Sequence, residues 1–282
     1  MGSSVNAEPM GVDAFLAQPQ PAPDAVIAYG PAPVQAVDLY LPKGKGPHPT
    51  VILIHGGCWS AEIPGREHVR AVADDLRKRG LAVWSLGYRR VEEPGGGYPG
   101  TFQDVATAID LLHVEGPKRG LRTDHLVAMG HSAGGHLSQW AAARAQLPAW
   151  SPLKTADPLP IAAVVSVGGL GDLKQFPQAI EARCGAGVVG KLTAAQTADR
   201  PDIYVETSPA QMTPGPAREV LVYGELDTLS TPAINAAMVA SRAAQGRKVE
   251  AVEAKGAGHF DLMAPGRAGW DVVAREVLKL AR

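Results

Sequence analysis

Short apolar runs alternate with amphipathic stretches from about residue 34 to the C-terminus. This pattern predicts strands at 34–41, 50–54, 81–86, 125–130, 161–167, 219–223 and 248–254, and helices at about 66–79, 101–115, 135–146, 231–245 and 268–281. Apolar strands separated by helices are typical of a buried parallel sheet joined by right-handed crossovers. Residues 34–41 differ, because they partly alternate and end at Pro42, and we expect them to form an antiparallel edge strand.

Two segments fall outside this alternation. Residues 17–33 are rich in proline and alanine, so we expect residues 1–33 to form an extended N-terminal arm. Residues 170–215 contain several prolines and no clear apolar strand. We expect them to be an insertion that caps the carboxyl end of the sheet and forms one wall of a pocket. Residues 34–282 are thus predicted to form one α/β domain, a mostly parallel sheet with helices on both faces and a small cap at about 170–215.

A serine lies where a predicted strand must turn into a helix, in the run Gly-His-Ser-Ala-Gly at 130–134. Small residues on both sides of Ser132 permit a sharp, strained turn that presents the hydroxyl at the end of the sheet and points a helix N-terminus at it. The alternative is a tight turn without chemistry. A lone match to this pattern carries limited weight, so the residues around it decide the interpretation.

Two later polar residues complete a candidate Ser-His-Asp triad. Asp227 stands four residues past strand 219–223, and His259 follows strand 248–254. A serine nucleophile needs a base, because its hydroxyl is almost fully protonated at pH 7. His259 would take that proton, and Asp227 would orient the imidazole and stabilise its charged form.

Other residues compete for both supporting roles. His131 and His136 flank the serine in sequence, although we expect both to be structural. Asp172, Asp202 and Glu225 are the other candidates for the acid. Asp227 is preferred because it follows a strand and lies about thirty residues before His259.

The order serine, acid, histidine, each just past a predicted strand, resembles the α/β-hydrolase fold. The run His-Gly-Gly-Cys-Trp at 55–59 extends the resemblance to the esterase group that carries a His-Gly-Gly-x-Trp motif. That group contains bacterial carboxylesterases related to hormone-sensitive lipase and the kynurenine formamidases. The resemblance covers the chain from about Tyr29 to the C-terminus. It implies an α/β-hydrolase with a small cap, and Asp172 in an Asp-Leu pair with a structural role.

The glycines after strand 50–54 let the backbone approach a substrate and aim N–H groups at a developing negative charge. By the resemblance, the oxyanion hole consists of the N–H groups of Gly57 and Cys58, joined by that of Ala133. Trp59 and Tyr88 are candidates for shaping the substrate pocket, and packing in the core is the alternative for each.

Composition narrows the class of protein further. A net charge of −1 and a pI near 6.7 favour neither a nucleic-acid partner nor an anionic membrane. No apolar stretch approaches the ~20 residues that span a bilayer, and no signal peptide is visible, so we expect a cytoplasmic protein. The two cysteines, Cys58 and Cys184, are expected to be reduced. Metal-binding spacings and phosphate loops are missing, so we expect neither a metal nor another cofactor.

The sequence therefore predicts a metal-free serine hydrolase that cleaves small carboxylic esters through an acyl-enzyme. Arylformamidase activity on an N-formylkynurenine type of substrate is the close alternative, although formamidases more often carry alanine at the position of Gly135. A third hypothesis is a non-catalytic hydrolase-fold protein that binds a ligand. Neither the natural substrate nor the oligomeric state follows from the sequence.

Overall fold

An eight-stranded, mostly parallel sheet forms the centre of the protein. The structure is a computed structural model and describes residues 8–282. The strands in chain order are β1 (Ala25–Ala28), β2 (Ala36–Tyr40), β3 (Thr50–Ile54), β4 (Ala82–Leu86), β5 (Val127–His131), β6 (Ala163–Val167), β7 (Arg218–Gly224) and β8 (Val249–Ala254). Their order across the sheet is β1-β2-β4-β3-β5-β6-β7-β8. Pairing is antiparallel for β1 with β2 and for β2 with β4, and parallel from β4 to β8.

Ten α-helices accompany this sheet within the described residues. They are α1 (Val12–Leu16), α2 (Arg70–Lys78), α3 (Gly100–Asp110), α4 (Leu112–Lys118), α5 (Ala133–Ala143), α6 (Pro177–Cys184), α7 (Val188–Thr193), α8 (Tyr204–Thr207), α9 (Pro232–Ala244) and α10 (Ala268–Ala281). Short 3₁₀ helices lie at Arg66–Val69, Arg144–Gln146 and Asp261–Met263. None of the helices within residues 8–282 combines the length and apolar character needed to cross a membrane.

Both faces of the sheet are buried, as the continuous apolar strands predict. Successive side chains of a strand point to opposite faces. On β3, Ile52 and Ile54 therefore join the hydrophobic cluster that includes residues of α3 and α5. Val51 and Leu53 join the cluster on the other face, which includes residues of α2 and α10. The predicted parallel sheet between two helical layers is confirmed.

The N-terminal segment differs from the extended arm predicted for 1–33. Within it, 12–16 is the helix α1 and 25–28 is the strand β1; residues 1–7 lie outside the described part of the chain. Strand β2 is therefore not the edge of the sheet, because β1 pairs along it from Ala25↔Leu39 to Ala28↔Ala36. All five residues of β2 are buried.

The segment predicted as an insertion, 170–215, contains the helices α6, α7 and α8. A fully buried carboxylate, Glu206 on α8, anchors it to the rest of the domain. Glu206 accepts hydrogen bonds from the Tyr98 hydroxyl at 3.0 Å, from the Ser151 hydroxyl and from the Arg200 guanidinium. Arg200 also lies over the Tyr98 ring, 3.7 Å from its centroid. This network fixes the end of the insertion against the core.

A buried histidine on α5 makes the fold sensitive to acid. His136 is fully buried, and its Nε2 donates to the Thr207 carbonyl at 2.7 Å. Its Nδ1 has no hydrogen-bond partner among the described residues, and the ring packs edge-on to Trp59. A proton on Nδ1 would create an unpaired buried charge. Burial accordingly lowers the pKa of His136 to about 4.

We predict that the free energy of unfolding falls as the pH drops from 6.5 to 4. Over that range the unfolded chain protonates this histidine and the folded chain does not, so the loss attributable to His136 reaches about 3 kcal/mol. His136→Gln removes the titrating group, so its stability should fall less steeply with acid, even if it is lower at pH 7. Urea unfolding at a series of pH values measures both slopes, and parallel slopes would contradict the prediction.

Candidate active site

A strained turn places Ser132 between β5 and α5. Its backbone has φ +54° and ψ −117°, and its N–H donates to the Val167 carbonyl at 2.8 Å. A Cβ atom on Gly130 would lie 2.0 Å from the carbonyl oxygen of Gly134, and one on Gly134 would lie 2.1 Å from that of Ile54. Such contacts are sterically impossible without moving backbone, so the turn requires glycine on both sides of the serine.

Asp227 and His259 meet at the same end of the sheet. Asp227 lies in the loop after β7 and His259 in the loop after β8, where Nδ1 of the imidazole is 2.7 Å from Oδ2 of the carboxylate. The other oxygen, Oδ1, accepts the N–H groups of Leu229 at 2.8 Å and Ser230 at 2.9 Å. Because Nδ1 donates to a carboxylate, Nε2 carries the lone pair that can accept a proton.

The environment keeps the Asp227 carboxylate charged although it is buried. Burial alone would raise the pKa of Asp227, but the neighbouring His259 and the hydrogen bonds that the carboxylate accepts lower it below the ordinary value. An ionised carboxylate on Nδ1 fixes one tautomer of the imidazole and stabilises its protonated form. This is the pairing that a general base of the triad type needs.

The other candidates for the acid of the triad bond to groups other than His259. Asp172 accepts the Lys174 N–H in its own loop, at 3.2 Å. Asp202 pairs with the Lys174 ammonium at 2.9 Å, and Glu225 accepts the Gly256 N–H at 2.9 Å. Within residues 8–282, Asp227 is the carboxylate that bonds the His259 ring.

The competing bases are held in structural contacts, as expected. Nε2 of His131 lies 3.1 Å from the backbone carbonyl of His259, and that of His136 bonds Thr207. Burial, and then electrostatic interaction with the adjacent His259, lower the pKa of His131 well below the ordinary histidine value. Both rings are thus neutral at pH 7, and the Nε2 atom of each already makes a hydrogen bond to a backbone carbonyl.

The loop after β3 has an unusual backbone. Gly57, Cys58 and Trp59 all have positive φ, at +99°, +56° and +55°. Among the hydrogen bonds of the described chain, none is donated by the N–H groups of Gly57 or Cys58. Ala133 is the first residue of α5, so its N–H has no partner inside the helix. These are the three donors that the sequence predicts for an oxyanion hole, and Gly57 and Cys58 line the same cavity as Ser132.

The aromatic candidates for the pocket are placed elsewhere. Trp59 and Tyr88 have no exposed surface, and neither lines the cavity beside Ser132. Tyr88 donates its hydroxyl to the His55 carbonyl at 3.0 Å and stacks on the His55 ring at 4.2 Å. Trp59 packs against His136 in the core, with the ring centroids 5.3 Å apart. The structure thus corrects the prediction that these two residues contact substrate, because both side chains pack in the core.

The two cysteines are joined, which contradicts the expectation of reduced thiols. Cys58 and Cys184 form a disulfide with their Cα atoms 5.2 Å apart. They are 126 residues apart in sequence, so the pairing had no local signal. The fold brings them together because the loop after β3 and the insertion after β6 lie at the same end of a parallel sheet. The bridge ties α6 of the insertion to the proposed oxyanion loop.

A cavity of about 460 Å³ surrounds Ser132 and His259. Two of its walls come from segments that the sequence interpretation did not assign to a site, namely α1 and the stretch that holds Ile63 and His68. The additional residues are Val12, Phe15 and Leu16 on α1; Ile63 and His68; Arg183 on α6; and Thr228, Leu229 and Phe260 beside the triad. Phe15 stacks on Phe260 with ring centroids 5.1 Å apart. The α1 residues have the i, i+3, i+4 spacing of a helix, but this signal extends over only five residues beside a proline-rich segment.

Groups of three or more His, Cys, Asp or Glu side chains arranged to hold a metal ion do not occur within the described chain.

A sequence model of the BD-FAE family matches residues 37–233, more than half of the chain. Esterase LipC of Mycobacterium tuberculosis is 29% identical over 252 residues, which cover 86% of this chain and 61% of LipC. The probable isoprenylcysteine alpha-carbonyl methylesterase ICMEL1 of Arabidopsis thaliana is 31% identical over 113 residues, 40% of this chain and 23% of that protein. The chain thus spans less than two thirds of the length of either relative.

Solved structures confirm the predicted fold class. Esterase B from Lactobacillus rhamnosis superimposes with a TM-score of 0.77 over 95% of this chain and 89% of that chain, at 22% identity. At that identity the similarity establishes the α/β-hydrolase fold. The predicted resemblance to esterases of this fold is confirmed by these matches together.

We predict that the disulfide stabilises the fold substantially. Disulfides typically contribute about 2–4 kcal/mol, and bridges that close long loops, as this one does, contribute toward the upper end of that range. The double variant Cys58→Ser/Cys184→Ser should lose this amount in urea unfolding and should no longer respond to a reducing agent. Reduction should destabilise the unsubstituted protein to the same level. Titration of two free thiols in the denatured, unreduced protein would overturn the assignment.

Proposed function

The chain belongs to the BD-FAE family, and on that premise we propose that it is a serine hydrolase that cleaves small carboxylic esters. The observation that carries the proposal is the 2.7 Å contact between His259 and the ionised Asp227, in a cavity that Ser132 also lines. The esterase names of the relatives LipC and ICMEL1 support the same activity.

The proposed reaction has two acyl-transfer steps. The Ser132 hydroxyl attacks the ester carbonyl while Nε2 of His259 takes its proton. The C–O bond to the alcohol then breaks, and His259 returns the proton to the departing alcohol. Water repeats the sequence on the acyl-enzyme, so that the acid is released and the serine is restored. Asp227 stays ionised and holds the imidazole throughout.

Negative charge on the carbonyl oxygen would be met by backbone N–H groups. Gly57, Cys58 and Ala133 supply these donors in the proposal, and each donor of this kind typically lowers the barrier by ~3 kcal/mol. Two observations support the assignment: the N–H groups of Gly57 and Cys58 donate no hydrogen bond to any described residue, and Ala133 lies at the start of α5. No metal or organic cofactor takes part in this mechanism.

The cavity supports a small substrate. Its volume of about 460 Å³ lies in the lower half of the range for small-molecule sites, and apolar side chains of α1 and the triad loops form much of its wall. The relatives named above give no support to formamide hydrolysis, the alternative that the sequence left open. A ligand-binding protein without catalysis is disfavoured because such proteins usually lack a member of the triad.

The disulfide also bears on the cellular compartment of the protein. The sequence predicts a cytoplasmic protein, but disulfides persist mainly in oxidising environments, so the Cys58–Cys184 bridge favours an oxidising compartment.

We predict that p-nitrophenyl acetate is hydrolysed with a higher kcat/KM than p-nitrophenyl octanoate, and that N-formylkynurenine is a poor substrate. The octanoyl chain is expected to fit the small cavity badly. Ser132→Ala should abolish turnover of all three, and a fluorophosphonate probe should label the unsubstituted protein but not this variant. Faster turnover of the formamide than of the acetate would favour the arylformamidase alternative, and absence of labelling would favour the non-catalytic one.

We predict that Asp227→Asn lowers kcat for acetate hydrolysis by about 10³–10⁴-fold, because an amide on Nδ1 favours the wrong imidazole tautomer. The substitution keeps the side-chain size, and circular dichroism checks the fold. Asp202→Asn makes the same chemical change at a surface carboxylate that pairs with Lys174, and it should retain activity. Equal losses in the two variants would remove the acid role from Asp227.

A further inference from the structure

Among the residues that the structure describes, the cavity beside Ser132 has one permanently charged lining side chain, Arg183, and no lining aspartate or glutamate. The other ionisable lining residues are histidines, namely His68, His131 and His259. Burial lowers the pKa of both His68 and His131, so these two rings are neutral at pH 7. A ligand in the cavity therefore meets a neutral, largely apolar wall with a single guanidinium group at its edge.

No carboxylate in the described part of the chain neutralises that guanidinium. Within residues 8–282, Arg183 forms no ion pair and donates no side-chain hydrogen bond, whereas buried arginines such as Arg144 and Arg242 are bound to carboxylates. A helical partner would have to lie three or four residues away. Those positions hold alanine, isoleucine and glycine, at 179, 180, 186 and 187. Arg183 is also exposed, so its donors are available to a ligand.

The disulfide fixes the position of this arginine relative to the reacting atoms. Cys184 follows Arg183 directly and is bonded to Cys58, the residue whose N–H is a proposed oxyanion donor. The Cα atoms of Cys58 and Cys184 are 5.2 Å apart. Since adjacent Cα atoms are about 3.8 Å apart, the Cα of Arg183 lies within about 9 Å of that of Cys58. The side chain is thus held on the rim of the site at short range.

We propose that Arg183 determines specificity by binding a carboxylate of the substrate, so that the preferred esters carry an anionic group a few bonds from the scissile carbonyl. The planar guanidinium suits a carboxylate, to which it can donate two parallel hydrogen bonds. This inference rests on the proposed ester hydrolysis. It extends that proposal to the charge of the substrate, which the triad itself does not specify.

A purely structural role is the competing explanation. Arg183 lies in the last turn of α6, where a positive charge interacts favourably with the helix dipole. Loss of such an interaction would change kcat/KM by the same factor for neutral and anionic substrates. The ratio of kcat/KM values for two substrates that differ only in charge separates the two roles.

The test compares the p-nitrophenyl monoester of glutaric acid, which ends in a carboxylate, with the same compound methylated on that carboxylate. The unsubstituted protein should prefer the anionic ester. Arg183→Gln should lower the anionic-to-neutral ratio by about 10-fold or more, with little change for the neutral ester. Arg183→Lys should restore part of the preference, and Arg183→Glu should lower the ratio further. Rising salt should weaken the preference of the unsubstituted protein.

Arg275→Gln is the matched control, because this exposed arginine on α10 loses the same charge and does not line the cavity. It should leave the ratio unchanged. A ratio that is the same in the unsubstituted protein and Arg183→Gln would overturn the role of Arg183 while leaving ester hydrolysis intact. Failure of the unsubstituted protein to cleave either ester would instead refute the proposed function. Calorimetric titration of Ser132→Ala with glutarate checks binding without turnover, and equal affinity after adding Arg183→Gln would also overturn the proposal.

Discussion

The close approach of two backbone segments at Gly134, the start of α5 and the end of β3, is the constraint on which the site depends. A Cβ at this position would lie 2.1 Å from the Ile54 carbonyl oxygen and 2.6 Å from that of His55. The start of α5 therefore touches the end of β3 directly, with no side chain between them. Ser132 lies just before this contact, and the loop with the proposed oxyanion donors begins just after it. One packing contact thus holds the nucleophile and the donors in register, and the strained φ of Ser132 persists because the surrounding sheet over-determines it.

Much of the fold can be predicted from the local pattern of apolar and polar residues along the chain. The strands β3 to β7 are mostly apolar, and such runs indicate burial on both faces. Ser132, Asp227 and His259 were predictable because each follows a predicted strand, and a parallel sheet gathers its carboxyl ends at one edge. The segment before β2 was less predictable. Strand β1 has four residues and α1 has five, too few for periodicity to outweigh a proline-rich composition.

The features that escaped prediction depend on tertiary position. Trp59 and Cys58 are neighbours in one loop, yet the first points into the core and the second lines the cavity. Both residues have positive φ angles, of nearly equal size, so these outcomes depend on the tertiary packing around each side chain. The disulfide is similar, because its partners are 126 residues apart and only the topology brings them together. Sequence reasoning therefore identified the proposed reacting groups and missed much of what surrounds them.

The bridge between Cys58 and Cys184 restrains the segments that surround the proposed reacting groups. It links the loop after β3 with the insertion after β6, and those strands lie on either side of β5, which leads to Ser132. The two flanking segments cannot move apart without displacing the backbone of Cys58. A wall that is covalently tied to the proposed oxyanion donors is preorganised, so little ordering is left to be done when substrate binds. Selectivity would then come from the fixed shape and charge of the cavity, and a single unneutralised arginine on a neutral wall is the kind of feature through which a rigid site can discriminate.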